Sequence, residues 1–203
     1  MKILPLYFLL FLTSLSYSQS SLYVTAGMNR VTMDDINGFI HPSYPFKYDA
    51  VLTTHAGLYS RTKLHNRIDF SSNLLYSVKG SNWSGNDTKN TYGTIFISPK
   101  LEYRVFKEVR VGFGGYVSHI LKQQSSYPIH ENPDVGLAGH IAYSFHRFIV
   151  AIGIEHGLRA ITNAAVSVQD EDFSSFLSAP NGIAPQYNRN LQFTIGYRLI
   201  GKN

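Results

Sequence analysis

The chain has 203 residues and carries 18 Lys and Arg against 13 Asp and Glu, a formal net charge of +5, with no cysteine. The missing cysteines exclude a disulfide framework and a thiolate metal site, and the basic residues stand singly, so the positive balance does not point to nucleic acid. Charged residues make up only 15% and aromatics 14%, with 14 Tyr and one Trp, a composition low in charge and rich in tyrosine for a water-soluble domain.

The first segment reads as an export signal. Lys2 gives a positive start, Ile3–Leu15 is mainly apolar, and Ser16-Tyr17-Ser18 supplies small residues at the two positions a signal peptidase reads. A membrane-spanning helix would need roughly 20 apolar residues, more than this run has. The expectation is a signal peptide over residues 1–18, cleaved just before or after Gln19, and one domain over 19–203. Without Lys2 the balance is 17 basic against 13 acidic residues, a net +4.

Beyond residue 21 the dominant period is two, the period of a strand with one apolar and one polar face. Eight strands are predicted, at 22–29, 50–60, 66–78, 92–105, 109–121, 134–145, 148–158 and 189–199. Val51–Tyr59 does not declare which face is apolar; the later segments do. Ile95, Ile97, Leu101, Tyr103 and Val105 oppose Ser98, Lys100, Glu102 and Arg104. Val109, Val111, Phe113, Val117 and Leu121 oppose Arg110, Gly112, Gly114, Tyr116 and Ser118. Phe148 to Leu158 and Leu191 to Leu199 alternate in the same way. The connections are short around Arg61–Lys63, Phe106–Glu108 and His146, and long and polar over 30–49, 79–91, 122–133 and 159–188. Short turns alternating with long loops, between strands of about ten residues, is the pattern of an outer-membrane barrel with its short turns in the periplasm.

Side-chain size tells the two faces apart. The polar face is mostly small: Gly112, Gly114, Gly136, Ala138, Ala142, Gly153, Gly157 and Gly196. An eight-stranded barrel is only wide enough for its own side chains, so small residues and a few charges suit the lumen and the Ile, Val, Leu and Phe face meets lipid. Tyr23, Tyr59, Tyr103, Phe145, Phe148 and Tyr197 lie where strands meet short turns and are expected to form an interfacial girdle, with Tyr76, Trp83 and Tyr92 contributing to the outer one.

Eight charged residues have lumen parity: Arg67, Asp69, Lys100, Glu102, Arg104, Arg110, Glu155 and Arg198. Buried charges of both signs should pair, so they are expected to form a structural plug of salt bridges; a selectivity constriction for small solutes is the sharper alternative. Among the histidines, His119 and His156 have lipid-face parity, His140 has lumen parity, and His41 and His130 fall in loops. None has a zinc spacing with a third ligand, so neither a metal nor another cofactor is expected. Ser43 with His41 and Asp49, or Ser126 with His130 and Glu131, are the residues a hydrolase at the outer rim would use; polar loops contain these types in any case. Gly112-Phe113-Gly114-Gly115 lies inside a strand pattern with no following helix and is not a phosphate loop, and Asp170-Glu171-Asp172 reads as a solvated loop.

Several motifs resemble the Bacteroidetes outer-membrane β-barrel family known as PorT-like or "porin family" proteins. They are Asn73-Leu74-Leu75-Tyr76-Ser77-Val78-Lys79-Gly80, Ile95-Phe96-Ile97-Ser98-Pro99-Lys100-Leu101-Glu102-Tyr103 and Gly112-Phe113-Gly114-Gly115-Tyr116-Val117. Asp134-Val135-Gly136-Leu137, Glu155-His156-Gly157-Leu158 and Arg189-Asn190-Leu191-Gln192 through Gly196-Tyr197-Arg198 follow in the same order, so the likeness runs over nearly all of 19–203. The chain departs from the family at its end, Leu199-Ile200-Gly201-Lys202-Asn203, where such barrels finish on an aromatic. The resemblance implies an integral outer-membrane barrel with no catalytic residues; one namesake is associated with assembly of a secretion and gliding apparatus. The expected protein is therefore all-β: a monomeric, eight-stranded, antiparallel up-and-down transmembrane barrel. It is expected to be non-enzymatic, embedded in outer-membrane lipid, with four long loops that engage a partner or the envelope; a small-solute porin and a rim hydrolase are the rivals.

Overall fold

In a computed structural model, residues 20–35, 48–83, 89–124, 133–159, 162–165 and 183–201 are described; the segment read as a signal peptide lies outside them. They form ten strands: β1 Ser20–Asp35, β2 Tyr48–Asp49, β3 Val51–Lys63, β4 Ile68–Trp83, β5 Lys89–Arg104, β6 Val109–Gln124, β7 Asp134–Phe145, β8 Phe148–Gly157, β9 Thr162–Ala165 and β10 Ile183–Ile200. Eight of them pair antiparallel in the order β1-β3-β4-β5-β6-β7-β8-β10, and β10 returns to β1 to close the barrel, with Leu22 opposite Ile200 and Asp35 opposite Gln186. The two short strands extend the sheet at one end, β2 against β4 and β9 against β10.

The expected strands are all present, and most run further than the alternation indicates. β1 continues to Asp35, β4 to Trp83 and β6 to Gln124, while β10 begins at Ile183. Arg61–Lys63, read as a turn, belongs to β3, and the chain reverses over residues 64–67. The reason is physical. Apolar alternation marks only the part of a strand that touches lipid, whereas backbone pairing continues beyond it into polar sequence such as Gly80-Ser81-Asn82, opposite Lys89–Thr91.

Alternation sorts the side chains as expected of a barrel in a membrane. On β6, Val111, Phe113 and Leu121 are exposed while Arg110, Gly112, Tyr116 and Ser118 are buried. On β10, Leu191, Phe193, Ile195, Tyr197 and Leu199 face out and Asn190, Gln192 and Gly196 face in. The undecided strand, β3, turns Leu52, Thr54 and Ala56 outward and Val51, His55 and Tyr59 inward. Gly136 and Gly157 make room for one bulky lumen ring: a Cβ on Gly136 would collide with the His156 carbonyl oxygen and the Tyr116 ring, and one on Gly157 would come within 3.3 Å of the Tyr116 hydroxyl.

The aromatic girdle needs correction. Tyr103, Phe145, Phe148 and Tyr197 face outward, and Tyr143, Phe145, Phe148 and Tyr197 form a run of ring contacts with centroids 5.4–5.8 Å apart. Tyr76 also faces outward. Tyr23, Tyr59 and Tyr92 do not; their side chains are buried in the lumen. Tyrosine suits either place, because its ring packs and its hydroxyl needs a partner. Lumen ions supply such a partner to Tyr59, and exposed arginines supply one to Tyr103 and Tyr197 at the rim.

Candidate functional site

Among the described residues, the lumen holds two ion clusters, one toward each end. The cluster nearer the short turns is built on β3, β4, β5, β6 and β7. Arg61 Nε donates to Glu102 Oε2 (3.1 Å) and to the Tyr59 hydroxyl (3.0 Å), and Tyr59 donates to Glu102 Oε1 (2.5 Å). His140 Nε2 lies 3.0 Å from the same Glu102 oxygen. Beside it, Arg110 Nε donates to Asp69 Oδ2 (2.9 Å), with Arg104 Nη2 3.6 Å away. Ser144 Oγ accepts from both Arg61 and Arg110. Two carboxylates are thus shared among three guanidinium groups, and bonds to charged groups of this kind are the stronger ones in a protein interior.

The second cluster centres on Lys79. Its ammonium is fully buried, 3.0 Å from Glu155 Oε2 and 3.7 Å from Asp134 Oδ2, and sits 4.8 Å and 5.0 Å from the ring centroids of Tyr116 and Phe96. Asn190 donates to Glu155 (3.2 Å), and Asn188 (3.0 Å) and Tyr116 (3.1 Å) donate to Asp134. The desolvation cost of three buried charges is large; here it is offset by opposite charge, amide donors and ring faces around one point.

Between the clusters runs a band of hydrogen-bonded polar side chains. His55 Nδ1 bonds Asn29 Oδ1 (2.8 Å) and His55 Nε2 bonds Thr194 Oγ1 (2.9 Å), while Asn29 donates to Ser77 Oγ (3.1 Å). Because the amide oxygen of Asn29 only accepts, His55 Nδ1 donates to it. A cavity of about 40 Å³ lies at the same level, lined in part by Lys100, His140, Glu155, Gln192 and Thr194. At roughly 10–15 Å³ per water it has room for about three.

The structure brings together six of the eight charges expected in the lumen. Asp69, Glu102, Arg104 and Arg110 join the first cluster, Glu155 joins the second, and Lys100 lines the cavity between them. The other two belong elsewhere. Arg67 is exposed in the turn after β3 and donates to the Tyr103 hydroxyl (3.2 Å). Arg198 braces the two-residue turn between β7 and β8, its Nη2 donating to the His146 carbonyl (2.7 Å), where His146 holds a positive φ of 51°. Sequence reasoning missed Lys79, placed in a loop, and Arg61, placed in a turn; it also missed Asp134, His55 and the three asparagines Asn29, Asn188 and Asn190. The correct length of β4 would have given Lys79 lumen parity, whereas Arg61 lies on β3, whose faces the sequence leaves undecided.

Residues 41, 43, 126, 130 and 131 of the rim-hydrolase reading lie outside the described residues; Asp49 is exposed on β2. Outside the barrel, Arg147 repeats the arrangement of Arg67, donating to the Tyr197 hydroxyl (3.1 Å). These hydrogen bonds hold the pKa of Arg67 and of Arg147 above the ordinary arginine value, so both remain charged.

No family model matches the chain, and no curated protein sequence does. Solved structures similar to it include Neisserial surface protein A, at 11% identity and TM-score 0.47, covering 88% of this chain and 97% of that one. Outer membrane protein OprG from Pseudomonas aeruginosa is similar at 10% identity and TM-score 0.47, over 92% and 98% of the two chains. Ail, the attachment invasion locus protein of Yersinia pestis, is similar at 11% identity and TM-score 0.45, over 89% and 99%. The chain's own geometry carries the assignment: with its backbone closed on itself, aliphatic side chains outside and paired ions inside, it is an eight-stranded β-barrel of the outer membrane.

Proposed function

We propose that this is a non-enzymatic, monomeric surface protein, a rigid lipid-embedded stand whose long loops engage a partner or the envelope. One observation carries the reading: among the described residues, both ends of the lumen are occupied by interlocked ions, with a cavity of about 40 Å³ between them. A barrel filled in this way offers solutes no open path, and recognition then falls to the loops on its rim. The longest connection, residues 159–188, is the first candidate. Export by residues 1–18 with removal near Gln19, and kinship with the PorT-like barrels, are part of the same proposal and rest on the sequence motifs alone.

In-cell crosslinking of the full chain and of a variant lacking residues 166–182 tests it. Adducts lost with the segment support the proposal; an identical adduct pattern removes the case for that loop. A second reading, a narrow solute path, draws on the cavity beside Lys100. Stable single-channel conductance that is abolished by Arg104→Ala would replace the plug with a constriction.

A further inference from the structure

The geometry points to the short-turn rim as a binding surface for anionic phospholipid headgroups, with two separate sites on opposite sides of the barrel, one at Arg67 and one at Arg147. Both guanidinium groups are exposed, and each is tied to the hydroxyl of an outward-facing tyrosine, Tyr103 for Arg67 and Tyr197 for Arg147. The tyrosine rings belong to the face that meets lipid, so the cations are held at headgroup level on the outside of the barrel. An arginine fork fits the oxygens of a phosphate, and a bond to one tyrosine leaves further donors of each fork available.

The rest of the rim fits an interface. Phe106 and Leu64 stand at the tips of their turns, 70% and 57% exposed, beside Lys107 and after Lys63. Apolar and aromatic tips flanked by cations belong at the boundary between acyl chains and headgroups; a surface facing a water-soluble partner would not need them. Charge is also unevenly divided. Among the described residues of this rim, exposed Lys63, Arg67, Lys107 and Arg147 face a single exposed acid, Glu108. In sequence, the segments at the opposite end (30–50, 84–90, 122–133 and 159–189) carry six Lys and Arg against eight Asp and Glu. The short turns therefore carry a net positive exposed charge and the opposite end a net negative one, so it is the short-turn rim that attracts a negatively charged leaflet.

The test uses the refolded barrel in nanodiscs of phosphatidylcholine with about one part in four phosphatidylglycerol. Native mass spectrometry of the released protein reads which lipid stays bound. The expected result is enrichment of phosphatidylglycerol over its share of the disc. It should fall about fivefold for each arginine removed in Arg67→Ala and Arg147→Ala, and partly recover in Arg67→Lys. Tyr103→Phe, which keeps the ring but releases the arginine, should give a smaller loss with the sheet spectrum unchanged. Arg30→Gln with Arg189→Gln, at the other end, should leave enrichment intact, and millimolar inorganic phosphate should not displace the lipid. Equal retention of both lipids, or equal loss in the Arg30/Arg189 variant, overturns the proposal. So does displacement by phosphate, or cosedimentation with peptidoglycan that depends on Arg67 and Arg147 while lipid retention does not.

Discussion

Lys79 on β4 and Glu155 on β8 meet at 3.0 Å across the full width of the barrel, four strands apart by either route round the sheet. The pair ties opposite walls together, and Asp134 of β7 lies within reach of the same ammonium. Lys79→Ala would leave two carboxylates buried without their cation, a loss expected to cost about 3–5 kcal/mol. Adding Glu155→Gln to that variant should recover part of it, because one uncompensated charge is gone. Urea unfolding in phospholipid vesicles, followed by the mobility of the folded band, measures both; a Lys79→Ala cost below about 1 kcal/mol would show the cluster to be solvated.

The two-cluster plug predicts how conductance should respond. Wild-type protein in planar bilayers should show no stable channel. Opening one end by Arg61→Ala should leave it closed, since the Lys79 cluster still fills the other. Arg61→Ala combined with Lys79→Ala should admit small ions. Conductance from either single variant would mean that one cluster alone blocks the path.

The lipid-facing assignment predicts a depth-dependent cost. Ile152 and its cross-strand partner Ile141 face outward in the middle of β7 and β8, with more than half of each side chain exposed. Ile152→Arg should destabilise the barrel in bilayers by about 2–4 kcal/mol, whereas Phe106→Arg at a turn tip should cost about 1 kcal/mol or less. Equal costs in vesicle unfolding experiments would argue against lipid around Ile152.

Two neighbouring glycines of β7 should respond differently to alanine. At Gly136 the added methyl meets the His156 carbonyl and the Tyr116 ring, while at Gly139 its nearest neighbour is 3.6 Å away. Gly136→Ala is expected to lose about 1–3 kcal/mol from overpacking and Gly139→Ala to be near neutral in the same unfolding assay.

The fold was legible because a barrel wall in lipid writes its two environments into alternate residues. β7, read at 134–145, is found at Asp134–Phe145, since both its ends coincide with the limits of the apolar pattern. The candidate site was legible only inside that pattern. Glu102 and Arg110 sit between apolar neighbours and declared themselves, whereas Lys79 lies where β4 has already left the alternation. Tyr59 misled for a different reason: its sequence neighbours place it at a strand end, and only the proximity of Glu102, 43 positions away, gives its hydroxyl an inward partner.

The seam between β1 and β10 also constrains how the molecule is made. The first strand has β3 on one side and waits for the last strand on the other. A partly built sheet would enter hydrocarbon with a whole row of amides and carbonyls unsatisfied, at several kcal/mol for each. The row of backbone groups along β1 is therefore satisfied within hydrocarbon only once β10 has paired with it, so the first and last strands of the barrel depend on one another.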